Sequence, residues 1–560
     1  MLRTKATFLT LASALFLAGC ATLGSMEKAI DTLGLKVTPK TLTLKGSEVE
    51  VTITGNFPAK YFGKNISLEA TPVLIWDGGE AAFETEGFQG EDVAGNYTVV
   101  SFENGKSFTY NASIPYDAAM EDASHLELRI TGKKGDTSVD FEPYFLCKGV
   151  ITTQNLVQND DKFMIAKDNF QRIMSYTQND EINYGYNSSV VKNSELRTDE
   201  WKEMKGLFAL AASADSVNLT GVSISAYASP EGEISLNENL AADRAESAHK
   251  ALQRELRRKK IKTEEDFANL MAKGEDWDGF KKLMQASSIA DKDLILRVLE
   301  MYSDKNKREE EIRNIAKTYK EIENEILPSL RRSKIEMNYT VEGYTDEELM
   351  ALAMSAPETL TVEELLFSAT LFDDVNDKYT IYNSCASVHA NDFRGHNNAG
   401  VCLMEMGRNN QAKEAFKAAH SLNSSNNEVL NNLGAIARQE GNIDEAASLL
   451  GKAGSSTETN YNKGLVAIAQ GNYGLAISNM SGSNTANLAL AKLLNGDANG
   501  AKTTLSNLDE ESAMSSYVLA ICCARLGDTQ GAKNNLDKAL TQDSSLEAKS
   551  KQDLEFAGIE

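Results

Sequence analysis

Hydrophobic and polar positions change rhythm along the chain. From about Leu35 to Val150 the period is two: Val49, Val51 and Ile53 alternate with Glu50, Thr52 and Thr54, and Leu126, Leu128 and Ile130 alternate with Glu127 and Arg129. That period places one face of each strand in a core. Five of the eight prolines (39, 58, 72, 115 and 143) fall here, with turn-forming breaks at Asp77-Gly78-Gly79 and Lys133-Lys134-Gly135-Asp136. Short alternating runs divided by turn residues predict an all-β sandwich over 35–150, with Trp76 in its core.

From 151 to 346 the rhythm is mixed. Ile182 to Tyr186 reads as a strand, Trp201 to Ala212 as a helix, Val222 to Ala228 as a strand, and the run from Asn237 as a helix to about Leu256. Residues 254–330 are rich in charge and helix formers, with Ile312, Ile315, Ala316 and Tyr319 on one helical face and Pro328 closing the run. Arg331 to Val341 alternates again. Strands and helices are thus mixed across 151–346, with a helical run at about 254–330.

The remainder, 347–560, repeats itself. Asn398-Ala399-Gly400 recurs as Asn432-Leu433-Gly434 and Asn462-Lys463-Gly464, each followed by a second glycine (Gly407, Gly441, Gly471), an alanine (Ala412, Ala446, Ala476) and a large apolar residue (Phe416, Leu450, Met480). Weaker copies carry Gly496, Ala501 and Leu505, then Gly527, Ala532 and Leu536, and Thr361-Val362-Glu363-Glu364 reads as a capping box opening an earlier, divergent unit. An interval of 34 residues between the first two glycines predicts an all-α solenoid of helix pairs.

The N-terminus sets the location. Arg3 and Lys5 precede an apolar stretch from Phe8 to Ala18, and Leu17-Ala18-Gly19-Cys20 follows. This is the layout of a cleavable export signal, far too short to span a bilayer. The four residues resemble the lipobox of bacterial lipoproteins. The resemblance implies a signal peptide at 1–19, acylation of Cys20, and a lipidated tether over 20–34. Ala21 to Lys28 contains no acidic run, which resembles the pattern of lipoproteins kept on the periplasmic side of the outer membrane.

A net charge of −24, from 81 acidic against 57 basic residues, argues against a nucleic-acid partner, which requires a basic face. Beyond Cys20 the cysteines are Cys147, Cys385, Cys402, Cys522 and Cys523; their spacing matches no zinc site and the five histidines are scattered. No metal and no cofactor is expected. No Gly-x-Ser-x-Gly elbow, His-Glu-x-x-His helix or Cys–His pairing supports a wall hydrolase, so no enzymatic activity and no catalytic residue is expected.

Three further resemblances bear on fold and binding. The β segment is of immunoglobulin-like type. After the strand ending at Ala228 come Ser229-Pro230-Glu231-Gly232 and Asn237, Leu240, Arg244 and Ala245, at the offsets of the peptidoglycan-associating domain of OmpA-like proteins. In that family an aspartate and an arginine hold the amino and carboxylate ends of the wall peptide's diamino acid. The resemblance implies an α+β domain at 151–346, interrupted by a helical insertion at about 254–330, and a ligand site at Ser229, Asn237 and Arg244, with Arg244 supplying the bidentate guanidinium. Ser229 replaces the aspartate and Ala241 the helix serine, which leaves weak wall binding, a different ligand, or a retained scaffold as outcomes. The C-terminal units resemble tetratricopeptide repeats, whose inner surface commonly receives extended peptides. Asn397 and Asn431 are candidates for lining that groove, whereas Asn398, Asn432 and Asn462 read as local helix packing.

Taken together, these features predict a non-enzymatic scaffold lipid-anchored on the periplasmic side of the outer membrane. Its expected setting is a secretion or outer-membrane protein assembly machine, with envelope proteins, an outer-membrane β-barrel among them, as partners. The alternative is an anchor joining outer membrane and wall by binding peptidoglycan through the OmpA-like domain.

Overall fold

The computed structural model describes residues 22–121 and 123–559. The signal segment and Cys20 lie outside the described residues. The chain divides into two compact units, one built from the residues up to Lys167 together with those from Phe372 onward, the other from Asp168 to Leu371.

In the first unit, helix α1 (Leu23–Lys28) precedes strands β1 (Lys36–Thr38), β2 (Thr41–Lys45), β3 (Glu48–Phe57), β4 (Ser67–Trp76), β5 (Gly79–Ala82), β6 (Glu86–Gly90), β7 (Thr98–Val100), β8 (Lys106–Pro115), β9 (His125–Lys134), β10 (Thr137–Asp140) and β11 (Tyr144–Ile151). The period-two residues point inward: Val49, Val51 and Ile53 of β3 are buried and pair in register with Ile114, Ala112 and Tyr110 of β8. The region is β-rich, but it is not the immunoglobulin-like pair of separate sheets expected. All eleven strands are joined by hydrogen bonds, because β2 pairs antiparallel with β3 at Leu44–Lys45 and parallel with β11 at Thr41 and Thr43. Nor is 20–34 a free tether over its described part. Leu23, Met26 and Leu33 are buried in a cluster with Phe57, Phe62 and Phe88, and the Tyr61 hydroxyl donates to the Met26 carbonyl at 2.8 Å.

The second unit carries a four-stranded sheet, β12 (Ile173–Asn183), β13 (Val217–Ala228), β14 (Ala268–Glu275) and β15 (Arg332–Glu342), in the order β12-β15-β13-β14. Only the β13–β14 pairing is parallel. Helices α2 (Asp199–Ser213) and α3 (Ile234–Arg258) cover one face, enclosing Ile182, Trp201, Phe208, Ile224, Ala248, Leu252, Ile335 and Met337. Strand β14 lies inside the stretch expected to be a helical insertion. It is an edge strand with six of its eight residues at least partly exposed, so it carries no alternating apolar signal. The inserted helices are α4 (Trp277–Ala286), α5 (Lys292–Met301), α6 (Lys305–Arg313), α7 (Ala316–Glu325) and α8 (Leu327–Leu330), with a core of their own around Phe280, Met284, Ile295, Ile322 and Leu330. Helices α9 (Asp346–Ser355) and α10 (Val362–Thr370) also belong to this unit, so the expected boundary at 346/347 moves to Leu371. The capping box at Thr361 forms at the start of α10, with Glu364 N donating to Thr361 Oγ1 at 3.3 Å and Thr361 N to Glu364 Oε2 at 2.8 Å.

The rest of the first unit is helical. After α11 (Val375–Val388) come five antiparallel pairs: α12 (Phe393–Glu405) with α13 (Asn409–Leu422), α14 (Asn427–Gln439) with α15 (Ile443–Lys452), α16 (Thr457–Ala469) with α17 (Tyr473–Asn479), α18 (Ala486–Leu494) with α19 (Ala498–Ser506), and α20 (Ala513–Arg525) with α21 (Thr529–Gln542). The recurring residues explain the pairing. A Cβ on Gly400 would meet Phe416 at 2.6 Å, one on Gly434 would meet Leu450 at 2.7 Å, and one on Gly464 would meet Met480 at 2.6 Å. Each glycine is the hole that the later apolar residue fills. Gly434→Val, a side chain with no room to retreat, is expected to lower the stability of the repeat helices by about 1–3 kcal/mol, read as a lower midpoint of their thermal transition by far-UV circular dichroism.

Candidate functional site

The first helix of each of four successive pairs presents a buried asparagine to the inner face: Asn398 on α12, Asn432 on α14, Asn462 on α16 and Asn487 on α18, all at most 1% exposed. Lying against them is the chain's own segment 157–167, extended and without regular secondary structure. An extended residue shows its N–H and C=O to the same side, and every second residue repeats the direction. The asparagines exploit this. Ala166 N donates to Asn398 Oδ1 at 2.8 Å while Asn398 Nδ2 donates to Ala166 O at 2.9 Å. Met164 does the same with Asn432 at 2.7 and 2.8 Å, Lys162 with Asn462 at 2.8 and 2.9 Å, and Gln158 with Asn487 at 2.8 and 3.0 Å. Each side-chain amide thus takes the place of a neighbouring strand.

Asn397 and Asn431, the residues singled out from sequence, form the second row. Asn397 Nδ2 donates to Met164 O at 2.9 Å and Asn431 Nδ2 to Lys162 O at 2.8 Å. They also brace the first row: Asn432 Nδ2 donates to Asn397 Oδ1 and Asn462 Nδ2 to Asn431 Oδ1, both at 3.0 Å. Asn398, Asn432 and Asn462, expected to serve local helix packing, instead hold the main chain of this segment, and Asn432 and Asn462 also bond the neighbouring repeat. Sequence reasoning passed over Asn487. Its signal was present, since each of the four asparagines lies nine residues before a helix-ending glycine (407, 441, 471 and 496), and the last pair has Val518 at that place.

Side chains add selectivity. Asp161 is fully enclosed; Arg438 Nε donates to its Oδ1 at 2.6 Å, Arg438 Nη2 contacts Oδ2, and Gln439 Nε2 donates to Oδ2 at 2.7 Å. Asp160 accepts from the Tyr461 hydroxyl at 2.7 Å and from Asn487 Nδ2 at 2.7 Å. Burial, aided by Asp160, raises the Tyr461 phenol above its ordinary value, so it stays a donor. Phe163 lies parallel to Phe416 with ring centroids 6.0 Å apart, and Ala166 is buried. Upstream, Gln154 repeats the amide device on the β-rich region, accepting from Gly46 N at 2.8 Å and donating to Gly46 O at 3.0 Å.

The second unit holds the other residues singled out from sequence. Ser229, Glu231, Gly232, Asn237 and Arg244 line a cavity of about 140 Å³ between the end of β13 and the start of α3. Arg244 is only 1% exposed and lies over the Tyr184 ring. Its guanidinium donates to the main-chain carbonyls of Tyr227 at 2.8 Å, Ser188 at 3.0 Å and Gly185 at 3.3 Å, and burial pushes its pKa down to about 10. Ser229 Oγ donates to Glu231, which also pairs with Arg331 at 2.8 Å, and Asn237 Nδ2 donates to Glu275 at 3.0 Å. The pocket contains a carboxylate two residues beyond Ser229, already matched by an arginine.

Among the described residues no group of three or more His, Cys, Asp or Glu side chains is placed to hold a metal, and no helix is long and apolar enough to cross a membrane. Cys147, Cys385, Cys402, Cys522 and Cys523 are all buried, and burial pushes the Cys402 and Cys522 thiols up to about 12.

Residues 393–426 match the tetratricopeptide repeat family model. No curated protein matches the chain. Solved structures with a similar arrangement include the APC/C hetero-tetramer Cut9-Hcn1 at 16% identity, covering 37% of this chain and 44% of that one with a TM-score of 0.33. They also include PilF of Pseudomonas aeruginosa at 14% identity, covering 38% and 99% with a TM-score of 0.29. PilW, a type IV pilus biogenesis factor, is 17% identical, covering 38% and 97% with a TM-score of 0.27. The chain thus spans less than half the length of the first of these. The C-terminal helix pairs are tetratricopeptide repeats, a module for protein–protein interaction.

Removing one member of a buried ion pair leaves the other charge stranded. Asp161→Ala is expected to cost about 3–5 kcal/mol in the unfolding transition of the repeat helices, and Asp161→Ala with Arg438→Met to recover at least half of that. Chemical denaturation of the two single variants and the double variant measures the coupling.

Proposed function

We propose that the protein is a non-enzymatic scaffold held by an acyl chain on Cys20 at the periplasmic face of the outer membrane. There it assembles envelope proteins, with secretion or outer-membrane protein assembly as its setting and an outer-membrane β-barrel among its partners. The observation that carries this reading is the tetratricopeptide repeat matched at residues 393–426, a module for protein–protein interaction, within an array of five helix pairs. A second support is modularity, since the β-rich region, the repeats and the second unit offer distinct surfaces on one chain. The resemblance of Leu17-Ala18-Gly19-Cys20 to a lipobox, with no acidic run after Cys20, supports the location. In a bacterial host fed a labelled fatty acid, wild type is expected to take up label and sediment with membranes, and Cys20→Ala to lose both. In-cell crosslinking of wild type should then recover a defined set of envelope proteins. Unlabelled wild type in the cytosol would overturn the reading.

A second reading, a wall anchor, draws on the strand order β12-β15-β13-β14 and on the cavity at Ser229, Asn237 and Arg244. Against it stands the use of the Arg244 guanidinium on three carbonyls of its own chain. Ser229→Asp restores the charge that a wall diamino acid requires. Under the anchor reading this variant sediments with isolated peptidoglycan at least tenfold more than wild type. Under the scaffold reading neither protein sediments above a control.

A further inference from the structure

We propose that the concave face of the repeats is a receptor for an extended acidic peptide, that its ligand is this chain's own residues 158–166, and that the groove is closed to partners while this strap is in place. The site is independent of where the protein resides and of which envelope proteins it meets.

Three observations define the ligand class. The four asparagines of the first row bind main-chain N–H and C=O groups at Gln158, Lys162, Met164 and Ala166, so they require extended backbone without proline at those positions. Arg438 with Gln439, and Tyr461 with Asn487, receive consecutive carboxylates at Asp161 and Asp160. Phe416 takes an aromatic ring at Phe163, and the enclosed position of Ala166 admits only a small side chain. The fitting peptide is an Asp-Asp pair, an aromatic residue two places on, and a small residue three places beyond that.

The chemistry also explains why a partner does not share the groove. Every polar group of the asparagine ladder faces a strap atom or another amide of the ladder, and the Asp161 side chain is fully enclosed. A strap joined covalently to its receptor acts at an effective concentration on the order of millimolar, which a free peptide at micromolar concentration does not overcome. The groove expected from sequence to receive a partner is therefore an internal joint.

The test uses the full chain and a fluorescent synthetic peptide spanning residues 156–168. Wild type is expected to leave peptide anisotropy unchanged at micromolar concentrations. In the full-length variant Asp161→Ala/Lys162→Pro/Met164→Pro, two N–H donors and the buried carboxylate of the strap are gone. This variant is expected to bind the peptide at least tenfold more tightly than wild type does. It should not bind a peptide carrying D160K and D161K. Equal binding by wild type and variant overturns the proposal, as does no binding by a variant that retains wild-type helicity and its cooperative transition. If the variant does not fold, hydrogen exchange on wild type decides. Segment 157–167 exchanging as slowly as the inner helices supports the proposal, and exchange at the rate of unstructured chain overturns it.

Discussion

Tetratricopeptide repeats leave an inner surface with no partner inside the array, and here that surface carries a row of buried amides that must be satisfied. A buried asparagine amide has a donor and an acceptor side, and leaving either unpaired costs more than a typical hydrogen bond returns. An extended backbone is the complementary object, with a donor and an acceptor of its own on every second residue. Residues 158–166 supply it, and the amides of Asn397 and Asn431 tie neighbouring repeats together while they do so. The path of residues 158–166 along the inner helices follows from this exchange of hydrogen bonds, and it carries Asp161 to Arg438 and Gln439.

The same demand for satisfied polar groups shapes the second unit. Arg244 is enclosed beside Tyr184, and three carbonyls, one near the end of β13 and two in the segment after β12, take up its donors. Glu231 meets Arg331, and Asn237 meets Glu275. Residues whose spacing suggested a ligand clamp are therefore engaged with their own chain. The Ser229 hydroxyl joins this network by donating to Glu231.

Legibility in the sequence followed burial on one face. Strand β3, with Val49, Val51 and Ile53 inward and Glu48 and Glu50 outward, was readable because a single face meets a core. The repeats were readable because Gly400, Gly434 and Gly464 stand at fixed offsets from the residues that fill the space beside them. Strand β14 was not, because an edge strand with both faces largely exposed has no period to show. The link of β2 to both β3 and β11 was hidden for another reason: alternation at Leu42 and Leu44 fixes which way side chains point, not which strands lie alongside.

Local sequence determined the elements, their order, the repeat interval and the presence of asparagines at one helical face, because periodicity and capping act over a few residues. What those asparagines hold was decided only by tertiary structure. Val157 to Lys167 has no apolar rhythm and forms no helix or strand, and its partners stand between 232 and 329 residues away along the chain. Main-chain hydrogen bonding is blind to residue type, so nothing in the strap's composition announces it. The complement becomes visible only when four helices bring their amides into line.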